Sequence, residues 1–435
     1  MVNFERTARV PLLQIVQILL VASVTCIAQS GFAQTYTVIH KFTGGSDGAS
    51  PYAGLTMDAA GNFYGTTVAG GFQGSDDCRV GNGCGTVFKL ARRGTGWGVE
   101  PLYQFLGGSD GIGPLSRVVF GPDGALYGTT QAGGSNGCIG GSGCGTVFRL
   151  TPPSRRCTRV FCQWNETVLH AFTGGIDGEL PEYGDLTFDA AGNMFGTTGL
   201  GGVHDQGTLF KLSRQNGVWM ESVPRVFGGA DAKYPSTGVT FDAAGNILGT
   251  ANGGDPYYHG LVYELQPIPG GWSESTIFTF TIGSDGASPA GGLIKDASGN
   301  MYGTTTSGGP STNGGTVFEL TPSGSGWTLT TLSGIVGGSG GPHANLTMDA
   351  HGTLYGTTDS DGVYGYGSVF KLVPQSDGTW TFYDLYDFTG FDDGREPDGS
   401  VAIDSNGNLW GTTSLGGDRT RCFHIGCGVI WEITP

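Results

Sequence analysis

The chain repeats one short pattern seven times, and this repetition limits the folds that it can adopt. The first copy, Asp-Ala-Ala-Gly-Asn-Phe-Tyr-Gly-Thr-Thr, runs from Asp58 to Thr67. The other copies centre on Gly124–Thr130, Gly192–Thr198, Gly245–Ala251, Gly299–Thr305, Gly352–Thr358 and Gly407–Thr413. Self-similarity at a fixed period is the signature of a repeat architecture, so each unit is expected to supply the same few elements.

Each unit contains four segments that read as β-strands, because they are rich in Val, Phe, Tyr, Thr and Leu and bounded by Gly, Asp and Pro. The first is Gly54–Asp58, the second is Asn62–Thr67 and the third is Gly85–Leu90. The fourth begins at a Trp and ends eight residues later, as in Trp164–Phe172. In the turn between the first two strands, Asp58 is expected to bond the backbone two residues on, and Gly61 to adopt a positive φ.

The period can be measured from the prolines that precede the first strands. They are Pro51, Pro114, Pro181, Pro235, Pro289, Pro342 and Pro397, and successive differences are 63, 67, 54, 54, 53 and 55. Four strands in about 54 residues, repeated seven times, predict an all-β fold, a seven-bladed β-propeller of four-stranded antiparallel blades. Only 13% of the residues are charged, which agrees with blades buried on both faces.

The two ends of the repeat region predict how the ring closes. Residues 34–435 form one seven-repeat domain in this interpretation, which begins with a lone fourth-type strand, Gln34–Phe42, and ends with a third-type strand, Gly428–Ile433. The N-terminal strand is therefore expected to complete the last blade. Antiparallel order then places the fourth-to-first and second-to-third loops on one rim, here called the long-loop rim, and the short turns on the opposite rim, here called the turn rim.

The repeat resembles a known family. Gly299–Thr305, followed by Gly315–Pro322 (Gly-Gly-Thr-Val-Phe-Glu-Leu-Thr-Pro from Gly314), is similar to the GloVer (Gloeo_Verruco) tandem repeat of bacterial proteins. The two separated motifs recur in phase over residues 34–435, apart from a degenerate copy at Gly249-Thr250-Ala251. The resemblance implies an exported bacterial protein.

Residues 1–33 have the layout of a secretory signal. Arg6 and Arg9 precede an apolar run, Leu12–Ala28, and Gly31-Phe32-Ala33 offers a cleavage site after Ala33. Removal of this segment is favoured over its retention as an anchor, because the run is short for a membrane span. No second apolar segment of spanning length follows, so a soluble, exported mature protein is expected, periplasmic, secreted or loosely attached to the cell surface.

The cysteines agree with export. Apart from Cys26 there are eight, and they fall into four close pairs: Cys78 with Cys84, Cys138 with Cys144, Cys157 with Cys162, and Cys422 with Cys427. An even number of cysteines in close pairs predicts disulfides in an exported chain. Zinc ligation is the alternative, although the spacings of five or six residues and the lack of a suitably placed His in most pairs count against it.

The charge of the chain limits its partners. The formal net charge is −16, and no basic patch is available for nucleic acid or an anionic membrane surface. All eight tryptophans take framework positions of the repeat, which weakens a lectin interpretation. The remaining partner is an extracellular or periplasmic ligand or protein, bound on the long-loop rim.

Two sets of loop residues are candidates for binding. An Asp recurs in the fourth-to-first loops at Asp47, Asp110, Asp177, Asp231, Asp285 and Asp393. These residues are either Asp-Gly turns or a ring of carboxylates that binds Ca²⁺ or a cationic ligand; no other cofactor is identified. Among the histidines, His343 is the binding candidate, and His204, His259 and His424 also lie in long-rim loops.

The sequence therefore favours an exported binding or interaction module whose working face is the long-loop rim. The alternative is a metal-dependent lyase or hydrolase with its site at the mouth of the channel, which would use these histidines and a divalent metal. Clustering of two or more of the four histidines would favour the enzyme, and scatter around the rim would favour binding. No residue is assigned a catalytic role.

Overall fold

The computed structural model of the chain describes residues 34–435, except 73–77, 79–82, 135–136, 139–140, 154–162, 183, 229–231, 236, 255–257, 311–313, 325 and 336–339. Its strands form seven antiparallel sheets in a ring, a seven-bladed β-propeller, as predicted. Tyr36–Thr434 form one compact unit. The secretory signal predicted in residues 1–33 lies outside the described residues and stays a prediction.

The first strands of the blades are the shortest. They are β2 (Thr56–Met57), β6 (Val119–Phe120), β10 (Thr187–Phe188), β14 (Thr240–Phe241), the pair β18 (Ala287–Pro289) and β19 (Ile294–Lys295), β23 (Thr347–Met348) and β27 (Ala402–Ile403). The second strands carry the Gly-Thr-Thr motif and are largely buried. They are β3 (Phe63–Thr67), β7 (Leu126–Thr130), β11 (Met194–Thr198), β15 (Ile247–Ala251), β20 (Met301–Ser307), β24 (Leu354–Thr358) and β28 (Leu409–Thr413).

The third and fourth strands form the outer part of each blade. The third strands are β4 (Thr86–Arg93), β8 (Thr146–Thr151), β12 (Thr208–Gln215), β16 (Leu261–Ile268), β21 (Thr316–Ser323), β25 (Ser368–Pro374) and β29 (Val429–Thr434). The fourth strands are β5 (Gly96–Gln104), β9 (Asn165–Ala171), β13 (Val218–Val226), β17 (Gly271–Thr279), β22 (Gly326–Gly334), β26 (Trp380–Asp387) and β1 (Thr35–Lys41). The described residues include the 3₁₀ turns Gly108–Asp110 and Cys422–His424, and among them no helix is long and apolar enough to cross a membrane.

The predicted five-residue first strand, Gly54–Asp58, is too long. Only Thr56 and Met57 pair with the second strand in the first blade. The preceding residues lie at the ring axis, where a Cβ on Gly54 would lie 2.5 Å from the Ser400 carbonyl oxygen of the neighbouring blade. Close packing between blades therefore replaces ladder pairing at this end of the strand.

The Gly-Thr-Thr motif has a separate structural role at each position. A Cβ on Gly65 would lie 2.6 Å from Cζ of Phe88 on the paired third strand, so Gly leaves space for this ring. Thr66 donates a hydrogen bond to the Ser116 carbonyl of the next blade at 3.1 Å. Thr67 Oγ1 lies 2.9 Å from Oγ1 of Thr86 and joins the second and third strands. The repeated motif thus links strands within a blade and blades to one another.

The hydrophobic core lies between the blades. Buried side chains form seven clusters, each shared by two neighbouring blades. The tryptophans belong to this framework: Trp410 and Trp431 are fully buried, and the six that open the fourth strands pack against the clusters.

The predicted closure is confirmed. Strand β1 pairs with β29 and completes the last blade, whose strand order is β1-β29-β28-β27. The Tyr36 ring stacks on Tyr386 of the preceding blade at 3.8 Å, and Phe42 is fully buried against Phe88 of the first blade. Side chains from the N-terminal strand therefore contact the blades on both sides of the closure.

The predicted turn chemistry is also confirmed. Asp58 Oδ1 accepts hydrogen bonds from the backbone N–H groups of Ala60 and Asn62 at 3.0 and 2.9 Å, and Gly61 has φ of 77°. Tyr64 donates to the other carboxylate oxygen at 2.9 Å. These aspartates hold the turn rim together.

Candidate functional site at the channel mouth

The aspartates of the fourth-to-first loops bind donors in their own loops. The Asp47 carboxylate accepts a hydrogen bond from the Thr43 backbone N–H at 3.0 Å and lies 3.0 Å from the His40 ring nitrogen. The same bond from the backbone four residues earlier recurs at Asp110, Asp177, Asp285 and Asp393. Asp231 lies outside the described residues. These five carboxylates are held in separate turns, and a binding role for the series stays a prediction.

The four loop histidines lie in different surroundings. His343 lines the central cavity, where its Nε2 is 3.5 Å from Asp359 Oδ2. His424 lines a small groove at the rim, and His204 packs against Gly228. The His259 carbonyl accepts a hydrogen bond from the Ser288 backbone N–H at 2.7 Å. Within the described part of the chain, none of the four belongs to a group of three potential metal ligands.

Three of the predicted cysteine pairs form disulfides, namely Cys78–Cys84, Cys138–Cys144 and Cys422–Cys427. The Cys138–Cys144 bridge lies beside the buried Glu179 carboxylate, but bonded sulfurs offer no thiolate to a metal. Disulfides persist in oxidising compartments, so these bridges indicate an extracellular or periplasmic protein.

The fourth predicted pair is not among these bridges. Both Cys157 and Cys162 lie outside the described residues, in the segment 154–162. The disulfide between Cys157 and Cys162 therefore stays a prediction, supported by the close spacing of the two residues and by the three bridges of similar spacing elsewhere in the ring.

A cavity of about 620 Å³ lies at the mouth of the central channel on the long-loop rim. Its lining comes from all seven blades, through residues on both sides of the phasing prolines and residues at or just after the ends of the second strands. Small-molecule sites in proteins have volumes of about 300–1,000 Å³. The cavity is therefore large enough for a small ligand.

One wall of the cavity is a hydrogen-bonded bridge across the axis. Arg117 donates to Asp185 Oδ2 from Nη2 at 2.7 Å and from Nε at 3.1 Å. Asn345, on a blade across the ring, donates to the same oxygen at 3.1 Å. Other blades place small residues at the equivalent repeat position, namely Gly54, Gly238, Gly292 and Ser400. The bridge neutralises Arg117, the single Lys or Arg among the described lining residues.

A second wall is acidic. Asp359, Glu396 and Asp398 line it, from two adjacent blades. Burial raises the pKa of Asp398 to about 8, and the charges of Asp359 and Glu396 add to the rise while a Ser414 hydrogen bond opposes it. Asp398 Oδ2 is buried and has no hydrogen-bond partner among the described residues. Asp398 therefore gives this wall a carboxyl group with one unpaired oxygen, close to the carboxyl groups of Asp359 and Glu396.

Tyr52 lines the same part of the cavity. Burial raises the pKa of its hydroxyl, and the negative charges of Asp398 and Glu396 add to the effect. The hydroxyl therefore stays protonated at neutral pH and can donate a hydrogen bond. Together with the carboxylates it gives the wall both donors and acceptors around an aromatic ring.

Of the predicted binding residues that the structure describes, His343 alone lines this cavity, so sequence reasoning missed most of the candidate site. Two of the missed residues directly follow prolines that set the repeat period, Tyr52 after Pro51 and Asp398 after Pro397, and Glu396 directly precedes Pro397. Their signal is variation within a constant pattern: the residue after each proline changes from blade to blade while the flanking motifs stay similar.

The family model for the Gloeobacter/Verrucomicrobia repeat matches residues 27–255 and 238–435 of the chain. The chain belongs to this repeat family. No curated protein matches this repeat protein. Its family membership agrees with the resemblance seen in the sequence, and the two matched regions include the complete ring of blades.

Several solved structures are similar to this repeat protein. A fungal alcohol oxidase of the AA5 family, solved in complex with copper, has a TM-score of 0.55 and 13% identity, with 92% of this chain and 76% of that chain covered. A proposed oxidoreductase (glucose dehydrogenase) from Thermus thermophilus has a TM-score of 0.42 and 14% identity, with 92% and 100% covered. PorZ, a surface component of the type-IX secretion system of Porphyromonas gingivalis, has a TM-score of 0.48 and 13% identity, with 91% and 47% covered. At these identities the likeness concerns the fold alone.

Proposed function

We propose that this exported repeat protein is a binding module that takes a small, positively charged ligand into the cavity at the mouth of its channel. The observation that carries the proposal is the acidic wall formed by Asp359, Glu396 and Asp398, which faces a cavity of about 620 Å³. Loops from every blade converge on this space, so a ligand held there is contacted from all sides. The working face is the long-loop rim.

The charges of the residues that line the cavity favour a cationic ligand. Arg117 is already paired with Asp185 at 2.7 Å, so its charge does not offset the acidic wall. The cation nearest to Glu396 among the described residues is Arg395, at 3.7 Å. A ligand ammonium group would relieve the repulsion among the three carboxyl groups and donate to Asp398 Oδ2, which has no partner in the described part of the chain. An amine binds more tightly than its neutral analogue on this basis.

Titration calorimetry with matched amines and alcohols tests the proposal. Putrescine and glucosamine are the cationic probes, and 1,4-butanediol and glucose are their neutral counterparts. We expect measurable binding of at least one amine and at least tenfold weaker binding of its counterpart. Since Asp398 loses a proton when a cation binds, the measured enthalpy at pH 7 should change with the ionisation enthalpy of the buffer.

The variants Asp398→Asn and Glu396→Gln should each weaken amine binding at least tenfold. Asp377→Asn is the matched control, because it removes the same charge from an exposed turn on the turn rim and should change the affinity less than twofold. Equal binding of amines and alcohols, or equal loss in the control, would contradict the proposal.

A second candidate function is a metal-dependent lyase or hydrolase at the same mouth. The observation that favours it is the pair His343 and Asp359, whose side chains lie 3.5 Å apart in the cavity. A histidine and a carboxylate are suitable ligands for Zn²⁺ or Mn²⁺. Binding of either metal that is lost in His343→Ala and displaces the amine probe would support this function over the first.

A further inference from the structure

A second depression lies beside the acidic cavity, between the sixth and seventh blades. It has a volume of about 160 Å³ and is lined by Tyr366, Phe391, Arg395, Arg419, His424 and Ile425, with Gly390 beneath the Tyr366 ring. We refer to it as the basic groove. Its volume is below the range of about 300–1,000 Å³ for drug-sized ligands, so it suits a single ring.

The basic groove differs in charge from the rest of the molecule. The chain has a net charge of −16, yet the groove contains two guanidinium groups and an imidazole, and no carboxylate lines it among the described residues. Arg395 Nε is buried without a hydrogen-bond partner in the described part of the chain. Its nearest carboxylate there is Glu396, at 3.7 Å. The groove therefore offers two guanidinium groups to an anion, and one donor of Arg395 makes no hydrogen bond in the described part of the chain.

The same groove presents aromatic surface. The Arg419 guanidinium lies over the Phe391 ring, 5.0 Å from its centroid, and the Phe391 side chain remains 57% exposed. Tyr366 is 38% exposed and its ring contacts Gly390 across the groove. A stacked arginine is held in place by the ring, which reduces the entropy lost when it binds a carboxylate. Exposed ring faces beside such donors suit the apolar face of a sugar.

The backbone at the edge of the groove is strained. Cys422, Phe423 and His424 have φ values of 45°, 57° and 65°, three consecutive non-glycine residues in the left-handed region. The Cys422–Cys427 disulfide closes this turn, and the His424 backbone N–H donates to the Arg421 carbonyl at 3.1 Å. Such backbone strain persists where the surroundings enforce it and is concentrated at functional sites. Here it holds the His424 ring at the groove.

We propose that the basic groove binds one carboxylate-bearing sugar unit, such as a uronate residue of an acidic saccharide. Arg419 and Arg395 bind the carboxylate, His424 donates to a ring or hydroxyl oxygen, and the rings of Tyr366 and Phe391 contact the sugar face. This site is separate from the amine site of the proposed function. Glu396 and Arg395 are adjacent in the chain, and they face the acidic cavity and the basic groove respectively.

Ligand-observed saturation-transfer NMR and titration calorimetry on the mature protein test this proposal. The probes are galacturonic acid and digalacturonate, with galactose as the neutral counterpart and benzoate as a carboxylate on a non-sugar ring. We expect binding of both uronates, at least tenfold weaker binding of galactose and benzoate, and weaker uronate binding as salt is raised.

Arg419→Ala should reduce uronate affinity at least tenfold, and Arg419→Lys should restore part of it. Arg421→Ala is the matched control: it removes the same charge from the same loop, where Arg421 lies 3.8 Å from Asp418 and does not line the groove. The control should change affinity less than twofold, and Asp398→Asn should not weaken uronate binding. Absence of uronate binding, equal binding of galactose or benzoate, or equal loss in Arg421→Ala would overturn the proposal.

Discussion

The turn rim and the channel mouth of the propeller contain opposite kinds of carboxylate. On the turn rim, burial would raise the pKa of Asp58, but hydrogen bonds from Asn62, Tyr64 and Ala60 outweigh it and leave the pKa below its ordinary value. At the channel mouth, burial dominates and raises the pKa of Asp398 to about 8. One acid is surrounded by donors, whereas the other shares a wall with two further acids.

This difference separates the residues that hold the fold from those available to a ligand. A carboxylate that accepts several hydrogen bonds stabilises the native state, and the same turn aspartate recurs in six of the seven blades. A crowded carboxyl group with an unsatisfied oxygen costs stability instead. Such a cost is typical of functional sites, where an arrangement is kept for what it binds. The residues that hold the fold are here called the frame. Changes to the frame should therefore lower the free energy of unfolding, and changes to the acidic residues at the channel mouth should raise it.

The largest loss of stability is expected when the N-terminal strand that closes the ring is removed. Removing residues 34–42 leaves the last blade with three strands and uncovers the ring of Tyr386 and the surfaces that Phe42 covers. Each large apolar side chain uncovered costs about 1.5–3 kcal/mol, and an exposed β-edge invites association. The loss should approach the stability of an ordinary domain, roughly 5–15 kcal/mol. Thermal unfolding of a chain that begins at Thr43, compared with one that begins at Gln34, measures it.

Equal unfolding midpoints for these two chains would mean that the seam between the last and first blades does not depend on the N-terminal strand. A parallel measurement with Asp398→Asn in the longer chain serves as control. That change lies at the mouth, and its effect on the midpoint should have the opposite sign.

Most of the frame could be predicted from the sequence because its residues repeat. Seven copies of Gly-Thr-Val-Phe-type strands and of the turn between the first two strands identify the blades, and the lone strand Gln34–Phe42 predicts the closure. The predicted first strand is too long, because contacts at the axis, such as Gly54 against Ser400, involve another blade. The sequence pattern of one repeat does not show which residues of another blade lie against it.

The mouth could be predicted only in part, for the same physical reason. Asp398, Glu396 and Asp359 are not joined by any motif, and Asp359 comes from a different blade. They come together because the residues on either side of Pro397 and the residue that follows the second strand of the sixth blade line the same cavity. Once seven blades are established, these positions can be found by asking which residues vary within the repeat, but the direction of each side chain requires the structure.

The second prediction uses pH to compare the two kinds of carboxylate. Since the pKa of Asp398 is raised to about 8 in the folded protein, folding is favoured while this group is protonated, and that contribution falls as pH rises from about 4 towards 8. Asp398→Asn removes this loss. At pH 7 it should increase the free energy of unfolding by on the order of a few kcal/mol, and the gain should vanish below about pH 4.

Asp58→Ala is the counterpart on the turn rim and should show the reverse dependence. The pKa of Asp58 is lowered in the folded state, so its contribution is present above its ordinary pKa and is lost as pH falls through the lowered value. The variant should lose about 1–2 kcal/mol at pH 7 and much less in acid. Urea unfolding of both variants from pH 3 to pH 8 checks the two slopes. Slopes of the same sign would contradict the distinction between the turn rim and the channel mouth.

The third prediction concerns the smallest structural change, a single methyl group added within the frame. Gly65→Ala places a Cβ 2.6 Å from Cζ of Phe88 and 3.0 Å from Cδ2 of Leu55, all within the packed contact between strands. Because both neighbours are fully or almost fully buried, neither can move away freely. Overpacking of this kind costs about 1–3 kcal/mol. The denaturant midpoint should fall accordingly, with an unchanged slope.

Gly96→Ala provides the matched control, since the same methyl group added there meets no atom within 4 Å. Gly96 opens a fourth strand at the turn rim and is exposed, with no positive φ. Alanine at such a site reduces the freedom of the unfolded chain and should be neutral or stabilise by up to about 1 kcal/mol. If Gly65→Ala were as harmless as Gly96→Ala, the Gly of the repeated motif would not be needed for the Phe88 ring. The recurrence of Gly at this position of the motif would then need a different explanation.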